Sequence, residues 1–170
     1  MPFLPLPSWE VIEEGRSYLQ AASLIVKHGD VGQWRPACVL AGFSMELFLK
    51  SFLAKDDSSP IDIALPDGLT MYQGAVESEK GHFLDKLFNK IPDNYRQLIL
   101  DTSKELDPEL PLEQKLKEFS GYFFNARYGY EAKTIGVLSM EVLEVAEHLE
   151  RVCLAVAPKA IPYNEAYPNI

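Results

Sequence analysis

Few residues in this chain are placed to do ionic or acid–base chemistry, and two of them share one apolar stretch. Glu46 and Lys50 stand four residues apart within the run 37–54, the longest hydrophobic run of the sequence. A lone charge in a protein core costs several kcal/mol, so Glu46 needs a partner. We expect it to meet Arg127, which shares a predicted helical stripe with Phe123, or to accept a hydrogen bond from His82. Lys50 has the i, i+4 spacing of an ordinary helical ion pair with Glu46. These arrangements favour a buried structural pair over a catalytic one.

The histidines show no spacing typical of a metal site. His82 follows Gly81 at the start of a predicted helix, where capping or packing is the expected role. His28 lies at a predicted helix end, and His148 lies in a glutamate-rich segment, so we expect both at the surface. No histidine or cysteine pairs at a ligand-like spacing, and no phosphate-binding or dinucleotide-binding glycine motif is present. The sequence therefore predicts no metal and no cofactor.

Length and composition indicate an ordinary globular chain. It has 170 residues, of which 47% are hydrophobic and 24% charged, and these values predict a single domain over residues 1–170. The formal charge of -9 disfavours binding to a phosphate backbone except at a local basic site. Two cysteines are too few for a disulfide framework, and the first residues do not resemble a secretory signal. A cytoplasmic location is therefore the prediction.

Hydrophobic residues recur at steps of three and four residues in six segments, which predicts six helices. Their approximate bounds are 8–28, 33–55, 82–90, 92–106, 112–128 and 135–157. The second is apolar almost all round and carries Glu46 and Lys50, which favours a buried core helix over a membrane span. Segment 56–80 contains six acidic residues and one lysine. We interpret it as a mostly irregular acidic loop, with short helical turns or a small hairpin as alternatives. The predicted fold is an all-α, antiparallel up-and-down bundle of four to five main helices plus short ones, with an extended tail at 158–170.

An aromatic cluster occupies the segment 119–130. It contains more rings than one helical stripe can bury, so Tyr122, Phe124 and Tyr130 are expected to point outward. A contiguous exposed patch of this kind is typical of an interface, and self-association is the simplest explanation.

Three segments, in this order, resemble the HEPN family of helical domains over most of residues 8–157. They are the apolar helix ACVLAGFSMELFLKSFLA at 37–54, the segment GHFLDKLFNKIP at 81–92, and FFNARY at 123–128. The resemblance implies a helical bundle that commonly dimerises and is associated with RNA or nucleotides. It also implies a neighbouring nucleotidyltransferase-like protein as a partner.

Many HEPN members are metal-independent ribonucleases that use an arginine followed by a histidine after four to six intervening residues. Arg127 matches that arginine, but Ala132, Lys133 and Thr134 occupy the three histidine positions. The ordinary pKa of a lysine is poorly suited to general acid–base catalysis. We therefore predict a non-catalytic binding or regulatory module in an RNA-related, toxin–antitoxin or defence setting.

Two alternatives remain open. The first is a ribonuclease with an altered site at Arg127, helped by Lys133 or His82. The second is a structural subunit that binds a protein partner through residues 119–130. The binding or interface candidates are Glu46, Lys50, Asn125, Tyr122, Phe124, Tyr128 and Tyr130.

Overall fold

The structure is a computed structural model that describes residues 6–57, 59–61, 71–73, 76–77, 79–123 and 139–157. Over these residues the chain is predominantly helical, as the sequence predicts, with two short pairs of strands. The α-helices are α1 (Trp9–His28), α2 (Trp34–Ser51), α3 (Leu84–Lys90), α4 (Asp93–Leu106), α5 (Leu112–Glu118) and α6 (Glu141–Val156).

Helix α1 begins and ends where its sequence signals place it. Ser8 is the N-cap, and the amide of Gly29 donates to the carbonyl of Ile25 at the C-terminal end. The side chain of Ser8 makes no capping hydrogen bond, but its amide donates to the carbonyl of Ser51 at 2.8 Å. The start of α1 is thereby tied to the end of α2.

Helix α2 forms the centre of the fold. It packs against α1, α3 and α6, and its buried residues include Met45, Phe48 and Leu49. The prediction of a buried core helix is confirmed. Within the described part of the chain, no helix is long and apolar enough to cross a membrane. The helix ends at Ser51 rather than near Lys55, because Lys55 enters a strand.

The acidic segment contains strands that the predicted irregular loop did not include. Strand β1 (Lys55–Asp56) pairs antiparallel with β4 (Val76–Glu77), and β2 (Ser59–Ile61) pairs antiparallel with β3 (Met71–Gln73). At these residues the hairpin alternative is correct. Backbone pairing satisfies polar groups that an irregular segment would leave to water.

Helix α5 ends at Glu118, well before the predicted end near residue 128. Its hydrophobic spacing continues through Phe119, but a turn follows at Ser120 and Gly121. There the carbonyl of Ser120 accepts the amide of Leu84, and the hydroxyl of Ser120 also contacts Asp85. The turn connects the end of α5 to the start of α3, and this tertiary contact overrides the helical periodicity.

Helix α6 carries the predicted stripe of buried aliphatic residues, which includes Val145, Leu149 and Val152. The prediction of a surface position for His148 is wrong, because its side chain is 0% exposed. Helices α1, α2 and α4 all pack on α6 and bury a wider arc than the stripe indicates. His28, at the last residue of α1, is exposed as predicted.

Candidate functional site

The candidate site forms where the segment before α3 passes over the centre of α2. Gly81 has φ of +124°, a backbone conformation that residues with a side chain rarely adopt. The turn at Gly81 precedes His82 directly, and α3 begins two residues later at Leu84. The glycine thus lets the chain turn so that the imidazole of His82 lies over α2.

Three ionisable side chains meet at this point. The Lys50 ammonium lies 2.8 Å from Oε1 of Glu46, and Nδ1 of His82 lies 3.1 Å from Oε1 and 3.2 Å from Oε2 of the same carboxylate. The predicted i, i+4 pair and the predicted contact of Glu46 with His82 are therefore both present. The carboxylate of a buried glutamate has two cationic or donor partners, which removes most of the cost of burying its charge.

The three side chains differ in their access to water. The Glu46 side chain is 1% exposed, that of Lys50 10%, and that of His82 45%. The cluster therefore extends from the core to the surface, and His82 is its outer member. Of the three side chains, only His82 presents a large surface to the solvent.

The carboxylate fixes the orientation of the imidazole. An ionised carboxylate only accepts hydrogen bonds, so the His82 Nδ1 must carry the proton. In the neutral ring, Nε2 is then the acceptor nitrogen. This carboxylate–imidazole arrangement orients general bases in many enzymes, and it equally serves to hold a ring in place for binding.

A row of aromatic rings leads to His82. Tyr18 of α1 contacts Phe43 of α2 edge to face, with ring centroids 4.6 Å apart, and Phe43 stacks on Phe123 at 4.6 Å. Phe123 lies 5.9 Å from the His82 ring. A Cβ added to Gly42 would lie 3.0 Å from the backbone nitrogen of Phe123, so a larger residue would require the Phe123 backbone to move away from α2. All four rings are half-buried.

For the other predicted site residues, the prediction for Tyr122 is wrong, and the rest lie outside the described part of the chain. Tyr122 is buried rather than outward-facing, since its ring packs edge to face on Phe119 and its hydroxyl accepts the amide of Ser139. Its expected place in an exposed interface is therefore wrong. Lying outside the described residues are Phe124, Asn125, Arg127, Tyr128, Tyr130 and Lys133.

Sequence reasoning missed two features of the charged and aromatic residues. Tyr18 and Phe43 were not identified as members of the row of rings that reaches His82 through Phe123. The contact of His148 with Ser103 was also missed. The available signal was the pair of polar residues Thr102 and Ser103 on α4, either of which could be the partner of a buried polar side chain on another helix.

Among the described residues, no group of three or more His, Cys, Asp or Glu side chains is arranged to hold a metal ion. Comparison with known proteins finds no matching family model, no matching curated protein and no matching solved structure.

Proposed function

We propose that this protein is a HEPN-like binding or regulatory module without catalysis of its own, acting as a homodimer in an RNA-related, toxin–antitoxin or defence setting. The observation that carries the proposal is the buried Glu46 carboxylate, which joins Lys50 and His82. Glu46 and Lys50 belong to the first of the three segments on which the family resemblance depends, and His82 belongs to the second.

The third segment begins at the same place. Phe123 is its first residue, and its ring lies between Phe43 of the first segment and His82 of the second. Segments that are far apart in sequence therefore converge on one cluster. That convergence supports a shared functional region, in which Phe123 lies beside His82.

The chemistry of the cluster favours binding over catalysis. Glu46 and Lys50 neutralise each other in the core, which is typical of a structural pair. The positions that the HEPN ribonucleases reserve for a catalytic histidine hold Ala132, Lys133 and Thr134. A binding module needs only the cation of Arg127 and the half-buried rings, which suit phosphate and base contacts respectively.

Incubation of the full chain with fluorescent single-stranded and hairpin RNA, in the presence of a chelator, tests this proposal. We expect retarded migration without cleavage, and weaker retardation with Arg127→Ala. Lys104→Ala, on the exposed face of α4, is the matched control and should bind RNA like the original chain. Absence of binding to either RNA, with a protein co-purifying in fixed stoichiometry, would instead support the structural subunit or a nucleotidyltransferase-like partner.

A second function, metal-independent ribonuclease, is favoured by one observation. Glu46 holds His82 with its proton on Nδ1, and the imidazole is 45% exposed, as a general base requires. Cleavage that is lost in both His82→Gln and Arg127→Ala would establish this alternative. Cleavage that survives both changes would indicate a contaminating nuclease.

A further inference from the structure

A second cluster of ionisable residues, remote from His82, joins α4 to α6. The Ser103 hydroxyl lies 2.7 Å from Nε2 of His148, and Nη2 of Arg151 lies 3.2 Å from Nδ1 of the same ring. Ser103 and His148 are buried, with exposed fractions of 2% and 0%. Ser103 belongs to α4, whereas His148 and Arg151 are one helical turn apart on α6.

The hydrogen-bond donors and acceptors of this cluster specify one protonation state of the His148 imidazole. A guanidinium only donates hydrogen bonds, so Nδ1 of His148 must accept from Arg151 and carry no proton. Nε2 then carries the proton and donates to the oxygen of Ser103. The imidazole is therefore neutral, and it cannot take a proton from the Ser103 hydroxyl, which excludes a serine–histidine catalytic pair here.

We propose that the Ser103–His148–Arg151 contact is an acid-sensitive latch, which holds α4 against α6 while the imidazole is neutral and releases α4 when the ring gains a proton. A second proton must enter at Nδ1, the nitrogen that faces the guanidinium. The protonated ring would be a buried cation next to the guanidinium of Arg151, an exposed residue, and the Arg151 hydrogen bond within α6 would be lost. Nε2 can still donate to Ser103, so the release of α4 comes from the cost of keeping the charged ring away from water. The latch is independent of the proposed binding function.

The surrounding charges reinforce this behaviour. Burial is the largest cause that lowers the pKa of His148, and the Arg151 charge lowers it further. Asp107, which directly follows α4, opposes them. Within the described parts of α1 and α2, which also pack on α6, no charged group contributes to this shift.

The direction of the pH dependence follows from the lowered pKa. Below the ordinary histidine pKa of 6.5, the unfolded or opened chain binds a proton that the closed chain does not. The closed form is therefore fully favoured above about pH 6.5 and loses stability as the pH falls from there to the lowered pKa of the ring. One proton corresponds to at most about a tenfold change in the opening equilibrium per pH unit.

Amide hydrogen exchange of the full chain between pH 7 and pH 5, expressed as protection factors, tests the latch. We expect protection of α4 to fall about threefold to tenfold per pH unit below 6.5, while that of α2 changes little. His148→Gln, whose amide can still donate to Ser103, should remove the acid-dependent loss. His28→Gln, an exposed histidine at the end of α1, is the matched control and should retain it.

Nitrogen-15 NMR of the imidazole tests the same idea without a variant. At neutral pH we expect the His148 signals of a ring protonated at Nε2 only. A ring protonated at Nδ1, or protection of α4 that does not change with pH in the original chain, would overturn the proposal.

Discussion

At the scale of single residues, we expect the largest effect on stability from the buried ion pair of Glu46 and Lys50. Replacing Glu46 with glutamine keeps the shape of the side chain but removes the carboxylate that pairs directly with the Lys50 ammonium. Breaking a buried pair in this way costs about 3–5 kcal/mol in general. We expect about 3 kcal/mol here, because the Lys50 side chain retains some contact with water. Urea unfolding measures the change.

The same experiment carries its own controls. Lys50→Met combined with Glu46→Gln should cost less than the sum of the two single changes, since each removes the partner of the other. Arg96→Gln breaks an exposed pair with Asp93 and should cost at most about 1 kcal/mol. A Glu46→Gln cost no larger than that of Arg96→Gln would mean that the buried pair does not stabilise the fold.

Gly81 supports a second prediction at this scale. Its φ of +124° is strained for any residue with a side chain, so Gly81→Ala should destabilise the chain by about 1–3 kcal/mol and displace His82 from Glu46. Gly32→Ala is the matched control, because no heavy atom lies within 4 Å of the added Cβ and its φ is not positive. Thermal unfolding of the two variants side by side checks the difference, and equal midpoints would contradict it.

Single-residue predictions from sequence succeeded where the residue's own helix indicated burial. Glu46 lies in an almost wholly apolar helix and had to find a cation or donor, which pointed to Lys50, one helical turn away, and to His82, 36 residues away, as one of two further candidates. The prediction for His148 failed because its glutamate-rich segment indicated a surface position, and helical periodicity does not indicate which helix will cover a polar residue. Tyr122 failed for the same reason, since Ser139 satisfies its hydroxyl from another segment.

At the scale of elements, Tyr122, which follows α5, is hydrogen-bonded to the residue Ser139 just before α6. Its hydroxyl accepts the Ser139 amide, and the Ser139 hydroxyl accepts the Glu141 amide at the start of α6. Tyr122→Phe should cost about 1–2 kcal/mol, because the Ser139 amide loses its acceptor in a half-buried site. It should also raise hydrogen exchange in the first turn of α6. The half-buried Tyr95, on α4, provides the control Tyr95→Phe, and an equal effect of both changes would contradict the role of the hydroxyl.

Helix positions were predictable from sequence, but the ends of α2 and α5 were not. Aliphatic residues at steps of three and four specify a buried stripe wherever the helix lies, as in α6. The end of α5 instead depends on Ser120 and Leu84, and the end of α2 on the pairing of Lys55 with Glu77. Such contacts between distant segments are not encoded in local periodicity.

At the scale of the whole molecule, a predominantly helical fold followed from composition and periodicity, because α2 is apolar almost all round and the other predicted helices could cover it. The charged cluster then forms where the covering segments cross α2. The proposed homodimer requires a further surface of the molecule, where the two copies would meet, and its position can be tested.

The two exposed tryptophans of the chain provide a test of where a homodimer surface lies. Trp9, at the start of α1, is 52% exposed, and Trp34, at the start of α2, is 44% exposed. In a monomer, acrylamide should therefore quench the fluorescence efficiently at every protein concentration. If the proposed homodimer covers the ends of α1 and α2, quenching should weaken as the concentration rises through the range in which light scattering detects the dimer. Trp9→Phe and Trp34→Phe identify which end is covered. Dimerisation with unchanged quenching would place the interface elsewhere, and the absence of a dimer at any concentration would contradict the homodimer itself.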